Sequence, residues 1–213
     1  MNSRTEKLTL RGAAGAIEAL RDAPAEGVAA QGVAVIAHPH PLFGGTMDNK
    51  VVQTLARAFV ANAWTALRSN FRGVGASAGT HDEGRGECED YVAVVEQAAA
   101  QGPLAVAGFS FGAFVATCAL AQLWSAREVR QIVLVGTAAS RFSVPDVPAE
   151  AHDRTLVLHG EHDDTVPLSA AMDWARPQIL PVTVVPGGGH FFHGQLPLLK
   201  NLVSRHLRAG ERP

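Results

Sequence analysis

Short apolar runs alternate with helical patterns along almost the whole chain, and this alternation constrains the fold more than any other feature. Gly32–Ala37 is apolar without polar alternation, and Pro103–Ala107 and Val129–Val135 are similar short runs. Such runs are typical of strands covered on both faces. Apolar residues at helical spacing follow them, as in Thr46–Ala63 and Ala113–Trp124. The pattern predicts an α/β fold with a doubly wound, mostly parallel sheet and helices on both faces.

The N-terminal part of the chain has a different pattern. The segments KLTL and GAIEAL indicate two short strands joined by a tight turn at Gly12–Gly15. They predict a hairpin that adds antiparallel strands to the edge of the sheet. No internal repeat or linker interrupts the 213 residues, so we expect a single domain over residues 1–213.

Composition excludes several classes of function. Hydrophobic residues make up 47% and charged residues 18%, as in a globular protein, and the net charge of -2 offers no footprint for nucleic acid or an anionic membrane. No apolar stretch is long enough to span a membrane, and Met1–Leu10 lacks the apolar region of a signal peptide. Two cysteines, Cys88 and Cys118, are too few for a disulfide framework. We therefore expect a cytoplasmic protein, and nothing in the sequence indicates its oligomeric state.

The motif Gly108-Phe109-Ser110-Phe111-Gly112 is typical of a nucleophile at a sharp turn from a strand into a helix. A second match to the same pattern, centred on Ser77, shows that the motif alone is insufficient. Ser110 directly follows the buried strand LAVAG and precedes an apolar helix, whereas Ser77 lies in a glycine-rich loop. Context therefore selects Ser110 as the nucleophile and leaves Ser77 a structural role.

A serine nucleophile needs a base, and the base needs an orienting acid. The strand TLVLHG leads into Glu161, Asp163 and Asp164, three carboxylates at the end of one strand. The next strand leads into a glycine loop that ends at His190, with His193 nearby. The order serine, acid, histidine is the one that this kind of fold uses. We predict His190 as the base, with His193 as the alternative, and the acid is one of the three carboxylates.

The chain resembles the small, cap-less α/β-hydrolases close to the dienelactone-hydrolase-like group. The motifs that carry the resemblance span positions 38–193 and read HPHPLFGGTMDNKVV, NFRGVGASAG, GFSFGA, HGEHDDTVP and GGGHFFH. The resemblance implies Asp163 as the acid, because the family pattern places it three residues after Gly160. Caps in this superfamily follow the strand that ends here at Val135, and too few residues separate that strand from Thr155 for a helical lid. Dienelactone hydrolases use a cysteine where this chain has Ser110, so lactone specificity does not carry over.

Backbone donors are also needed for the oxyanion of acyl transfer. One is the N–H of Phe111, immediately after the nucleophile. The other belongs to the loop after the strand GVAVIA, where the prolines have no N–H and leave His40 and Leu42 as the nearest donors. The segment Leu42-Phe43-Gly44 resembles the oxyanion loop of dienelactone hydrolases, and this resemblance favours Leu42. The ring of His40 would then line the pocket.

The predicted function is the hydrolysis of a small carboxylic ester or thioester through an acyl-enzyme, by a carboxylesterase-like serine hydrolase. The residues expected to contact the substrate are His40, Phe43, Phe109 and Phe191. We expect no metal site and no organic cofactor. Two other classes stay open: an amidase or peptidase built on the same site, and a binding relative of the fold without catalysis.

Overall fold

A computed structural model describes residues 5–210 of the protein. Eight strands form one sheet with the order β1-β2-β4-β3-β5-β6-β7-β8. The strands are β1 Thr5–Gly12, β2 Gly15–Asp22, β3 Val33–Ala37, β4 Thr65–Ser69, β5 Leu104–Phe109, β6 Val129–Val135, β7 Thr155–Gly160 and β8 Val182–Val185. The helices are α1 Lys50–Ala61, α2 Arg85–Ala98, α3 Phe111–Leu123, α4 Leu168–Ala175 and α5 Leu196–Ala209.

The predicted fold class is confirmed. β1 and β2 form an antiparallel hairpin at the edge, β2 pairs antiparallel with β4, and every other pairing is parallel. All six residues of the central strand β5 are buried, as its unbroken apolar run predicts. Because the parallel strands end at one edge of the sheet, the loops that follow β3, β5, β7 and β8 meet there.

Helices cover both faces of the sheet and bury two separate hydrophobic cores. On one face, residues of α2, α3 and α4 pack against the sheet, and on the other, residues of α1 and α5 do so. Val51, Leu55 and Phe59 of α1 recur at the spacing that places them on one stripe. Helix α3 is apolar on all sides because it is buried on nearly all of them. Its rigid placement fixes the residue at its N-terminus.

The segment between β6 and β7 contains no lid. Residues 136–154 are all described, and their only regular element is a 3₁₀ turn at Ala149–Arg154. A second short 3₁₀ turn, Pro41–Phe43, follows β3, because proline suits the first position of a helical turn. No helix in residues 5–210 is long and apolar enough to cross a membrane.

Candidate active site

Ser110 lies alone between a strand and a helix. β5 ends at Phe109 and α3 begins at Phe111, and Ser110 has φ 58° and ψ −119°. This backbone conformation is strained for a residue with a side chain. A Cβ on Gly108 would lie 2.2 Å from the carbonyl oxygen of Gly112, so no larger residue fits there. The two glycines of the motif therefore permit the sharp turn that presents the serine hydroxyl.

Ser110, His190 and Asp163 form one hydrogen-bonded chain. His190 Nε2 lies 3.0 Å from Ser110 Oγ, and His190 Nδ1 lies 2.7 Å from Asp163 Oδ2. All three residues are buried. A carboxylate only accepts, so Nδ1 carries the proton and leaves Nε2 free to accept from the serine hydroxyl. This is the arrangement that nucleophile activation by a general base requires.

Asp163 is held in place by backbone donors. Its Oδ1 accepts the N–H of Thr165 at 3.0 Å and that of Val166 at 2.7 Å. Burial acts to raise the pKa of Asp163, but the hydrogen bonds from His190 and Val166 outweigh it and leave the pKa below the usual value. The carboxylate is therefore ionised at neutral pH and is a suitable partner for an imidazole.

The other predicted acids and the alternative base do not join this chain. Asp164 is exposed and accepts a 3.4 Å hydrogen bond from the Thr165 hydroxyl. Glu161 is also exposed and accepts the N–H of Gly187 at 2.8 Å. His193 is exposed and packs beside the Phe191 ring. Of the side chains weighed from the sequence, the structure brings only Asp163 and His190 to Ser110.

A cavity of about 340 Å³ opens above Ser110. It is lined by Pro39, His40, Phe43, Gly44, Gly45, Asn49, Ser110, Phe111, Ala138, Arg141, Phe142, Thr165, Val166, His190 and Phe191. Phe43 and Phe191 stand at its mouth and are 78% and 42% exposed. Three of the four residues predicted to contact the substrate thus lie on its wall. Asn49 and Arg141 were missed, because nothing in their local sequence distinguishes them from other loop and helix-cap residues.

Phe109 corrects the predicted set of substrate contacts. Its side chain is fully buried and is not part of the cavity wall. The ring lies instead 4.9 Å from the His190 ring and 5.8 Å from the Phe191 ring, measured between centroids. As the last residue of β5, Phe109 points into the core beneath the active-site loop, and it supports His190 rather than a substrate.

The loop after β3 contains the two alternatives for the second oxyanion donor, the N–H groups of Leu42 and His40. The N–H of Leu42 donates to His40 Nδ1 at 3.3 Å, and the Leu42 side chain is 69% exposed. The N–H groups of His40 and Phe111 have no acceptor within residues 5–210. Both residues line the cavity beside Ser110. The engaged Leu42 N–H is thus a poorer donor to a ligand than the unpaired N–H of His40.

His40 is a neutral side chain in this loop. Burial, with a smaller contribution from the neighbouring His81, lowers the pKa of His40 below its usual value. Because Nδ1 accepts the Leu42 N–H, the single ring proton is on Nε2. The ring lies 4.9 Å from both the Phe43 and Phe111 rings. His40 therefore presents a neutral, partly apolar surface to the cavity.

Ser77, the second serine in a matching motif, is part of a structural loop. Its hydroxyl donates to the carbonyl of Asn70 at 2.8 Å and accepts the N–H of Glu18 at 3.0 Å. In the same loop Arg72 pairs with Asp90 at 2.8 Å. The Ser77 hydroxyl thus makes both of these hydrogen bonds to backbone groups and none to a histidine, which agrees with a structural role.

Known proteins share this fold and much of this sequence. A crystal structure from Xanthomonas campestris, described as a member of α/β serine hydrolases without a lid, is 36% identical, with a TM-score of 0.85 over 98% of this chain and 96% of that chain. The protein belongs to the lidless α/β serine hydrolases. An α/β serine hydrolase homologue from Coxiella burnetii is 35% identical, with a TM-score of 0.80 over 95% of this chain and 97% of that one.

Two further similarities cover less of this lidless hydrolase. The thioesterase domain family matches residues 85–182, which include the nucleophile turn and Asp163 but not His190. An uncharacterised protein of Rickettsia prowazekii is 46% identical over 88 residues. That match covers 39% of this chain and 37% of the relative, so it carries no activity from the whole relative to this hydrolase.

Proposed function

We propose that the protein hydrolyses carboxylic esters or thioesters through an acyl-enzyme formed on Ser110. The hydrogen-bonded chain from Ser110 through His190 to Asp163 carries this proposal, because it faces a cavity of suitable size for a small acyl group. Membership of the lidless serine hydrolases and the partial match to the thioesterase domain family support it.

In the acylation step, the Ser110 hydroxyl proton passes to His190 Nε2 while Oγ bonds to the carbonyl carbon of the substrate. Asp163 holds the imidazole in the required tautomer and stabilises the imidazolium that forms. The tetrahedral intermediate then collapses with cleavage of the bond to the leaving oxygen or sulfur. His190 returns the proton to the leaving alcohol or thiol, and the acyl group stays on Ser110.

In the deacylation step, water replaces the leaving group. It gives a proton to His190 Nε2 and attacks the acyl carbon, and the second tetrahedral intermediate releases a carboxylic acid. The proton on His190 returns to Ser110 Oγ. The absence of a lid in residues 136–154 leaves the cavity open to water throughout.

The oxyanion of both intermediates needs two donors. We assign them to the N–H groups of Phe111 and His40, since these are unpaired and their residues line the cavity. Leu42, which the sequence favoured, is replaced by His40 because its N–H donates to the His40 ring. The two prolines that flank His40 have no N–H, so no neighbouring donor competes with it.

A fluorophosphonate probe tests the nucleophile. We expect covalent labelling of the wild type, no labelling of Ser110→Ala, and unchanged labelling of Ser77→Ala, the matched serine of the second motif. Circular dichroism of all three proteins checks that they are folded. Labelling that persists in Ser110→Ala would contradict the assignment, and a folded wild type without labelling would favour a binding relative.

Matched ester, thioester and amide substrates with one acyl group test the reaction class. We expect turnover of a short-chain p-nitrophenyl ester and of the corresponding thioester, and little turnover of the p-nitroanilide. Preference for the anilide would identify the amidase alternative. In each case Ser110→Ala is the control for background hydrolysis.

A further inference from the structure

Arg141 places a positive charge on the wall of the cavity that contains Ser110. It lies in the loop after β6, next to Phe142, and both residues line the cavity. Its side chain is exposed, and within residues 5–210 it has no ion-pair or hydrogen-bond partner. Other cations near the carboxyl ends of the strands are engaged: Arg72 pairs with Asp90, and Arg68 pairs with Asp22. Arg141 is therefore available to a ligand.

No carboxylate lines this cavity to neutralise the guanidinium. The ionisable side chains on its wall are those of His40, Arg141 and His190, and none of them is acidic. Two buried acids, Asp163 and Glu87, lie behind the histidines His190 and His81, and each accepts from the histidine Nδ1, at 2.7 and 2.8 Å respectively. The guanidinium of Arg141 is therefore the only permanently charged group among the side chains that line the cavity.

The remaining wall is mainly apolar. Phe111, Phe142, Val166 and Phe191 line it, and the rings of Phe111 and Phe142 lie 5.1 Å apart. An aliphatic acyl chain would satisfy this surface but leave the guanidinium without a partner. A ligand that combines a short apolar body with a negative charge satisfies both, and guanidinium groups bind carboxylates and phosphates with paired hydrogen bonds.

We propose that the substrate of this hydrolase is an ester or thioester that itself carries an anionic group, which pairs with Arg141 while the scissile carbonyl lies at Ser110. The inference rests on the proposed ester hydrolysis and names the class of substrate. Because one cavity of about 340 Å³ holds both residues, the charge is only a few bonds from the carbonyl. The negative charge belongs either to the acyl part of the ester or to its leaving group, and these two cases can be tested separately.

The acyl source is tested with monoethyl succinate and its neutral isostere, ethyl 4-methylpentanoate. The leaving-group source is tested with 4-carboxyphenyl butyrate and its neutral isostere, 4-isopropylphenyl butyrate. For each pair, the ratio of kcat/KM between the anionic and neutral ester is measured by acid release at constant pH. Dividing the wild-type ratio by that of Arg141→Gln removes the intrinsic reactivity of each ester, so only the contribution of the guanidinium is left.

We expect this quotient to be roughly tenfold for one of the two pairs, since a charged hydrogen bond at an exposed site falls at the weaker end of its range. The pair that gives it assigns the charge to the acyl side or to the leaving-group side. Arg205→Gln is the matched control: it removes another exposed arginine, on α5, whose side chain lines a different cavity. Its ratios should equal those of the wild type.

Quotients near one for both pairs, with the neutral esters still hydrolysed, would overturn the anionic substrate and leave the proposed function intact. Failure of the wild type to hydrolyse any of the four esters, together with absent fluorophosphonate labelling, would overturn the proposed function itself. A tenfold effect that Arg205→Gln reproduces would show a general charge effect and would also overturn the role of Arg141.

Discussion

His159 Nε2 lies 3.5 Å from Asp163 Oδ2, the same carboxylate oxygen that lies 2.7 Å from His190 Nδ1. His159 is fully buried in β7, and its Nε2–H donates to the carbonyl of Val166 at 2.9 Å. Val166 in turn donates its N–H to the other oxygen of Asp163. His159 therefore contacts the proposed acid and donates a hydrogen bond to the turn that holds it, and we assign it as a positioning residue.

Replacement of His159 with leucine removes the donor and should lower kcat for a p-nitrophenyl ester roughly tenfold, with little change in KM. His159→Gln keeps a donor and should restore most of the activity. The pH profile of kcat/KM separates positioning from stability: leucine should displace its acidic limb, because the Asp163 carboxylate, whose pKa is lowered by its hydrogen bonds, would be held less firmly. An unchanged profile with equal losses in both variants would indicate a structural role alone.

The backbone conformation of His40 permits a direct test of its N–H. His40 has φ −53°, which proline also adopts, so His40→Pro removes the N–H with little change in the backbone. His40→Ala removes the ring and keeps the N–H. We expect alanine to reduce kcat several-fold and proline to reduce it roughly a hundredfold further, the usual effect of losing one oxyanion donor. Equal kcat values for the two variants would return the assignment to Leu42.

Gly136, the residue after β6, leaves the space that the His190 ring occupies. Its φ is 55°, and a Cβ there would lie 3.3 Å from His190 Cε1. Gly136→Ala should lower the free energy of unfolding by about 1 kcal/mol because alanine is strained at positive φ, and it should also lower kcat because the ring is displaced. Urea unfolding and steady-state kinetics measure the two effects.

Gly102→Ala is the matched control for that experiment. Gly102 has φ 75°, and a Cβ there meets no atom within 4 Å. The same strain should therefore reduce stability without a change in kcat. A loss of kcat in Gly102→Ala as large as that in Gly136→Ala would assign the effect to global destabilisation.

The sequence predicts the parts of the molecule that local patterns determine. The sheet and its edge hairpin follow from apolar periodicity, and Val129–Val135 has the bounds that the pattern predicts. The choice of Ser110 over Ser77 follows from the strand and helix on either side of it. These features depend on neighbours in the chain, so a single sequence contains them.

Contacts between distant segments account for what the sequence did not predict. Whether Phe109 faces the cavity or the core depends on the pleat at the end of β5, which places it beneath His190. Whether the N–H of Leu42 is free depends on the rotamer of the His40 ring. Arg141 reaches the cavity only because the loop after β6 folds back over the nucleophile turn. None of these relationships leaves a signal in residue spacing.

His38 makes the stability of the protein depend on pH. The ring is fully buried at the end of β3, where Nδ1 bonds the carbonyl of Pro39 at 2.6 Å and Nε2 accepts the N–H of Phe71 at 2.9 Å. Protonation of Nε2 would break the second bond. Burial disfavours the charged form of the ring and lowers the pKa of His38 to about 4, well below the value of about 6.5 in the unfolded chain.

Between those two pKa values the unfolded chain binds a proton that the folded protein does not, so stability falls as the pH falls from about 6.5 towards 4. The contribution of His38 to this loss between pH 7 and pH 5 should be about 2 kcal/mol. Urea unfolding at both pH values measures this contribution. The side chain of His38→Asn does not titrate, so on acidification this variant should lose about 2 kcal/mol less free energy of unfolding than the wild type. His193→Asn, at an exposed histidine, should lose as much as the wild type. If His38→Asn and the wild type lose the same free energy of unfolding, the acid sensitivity of the protein arises at other groups.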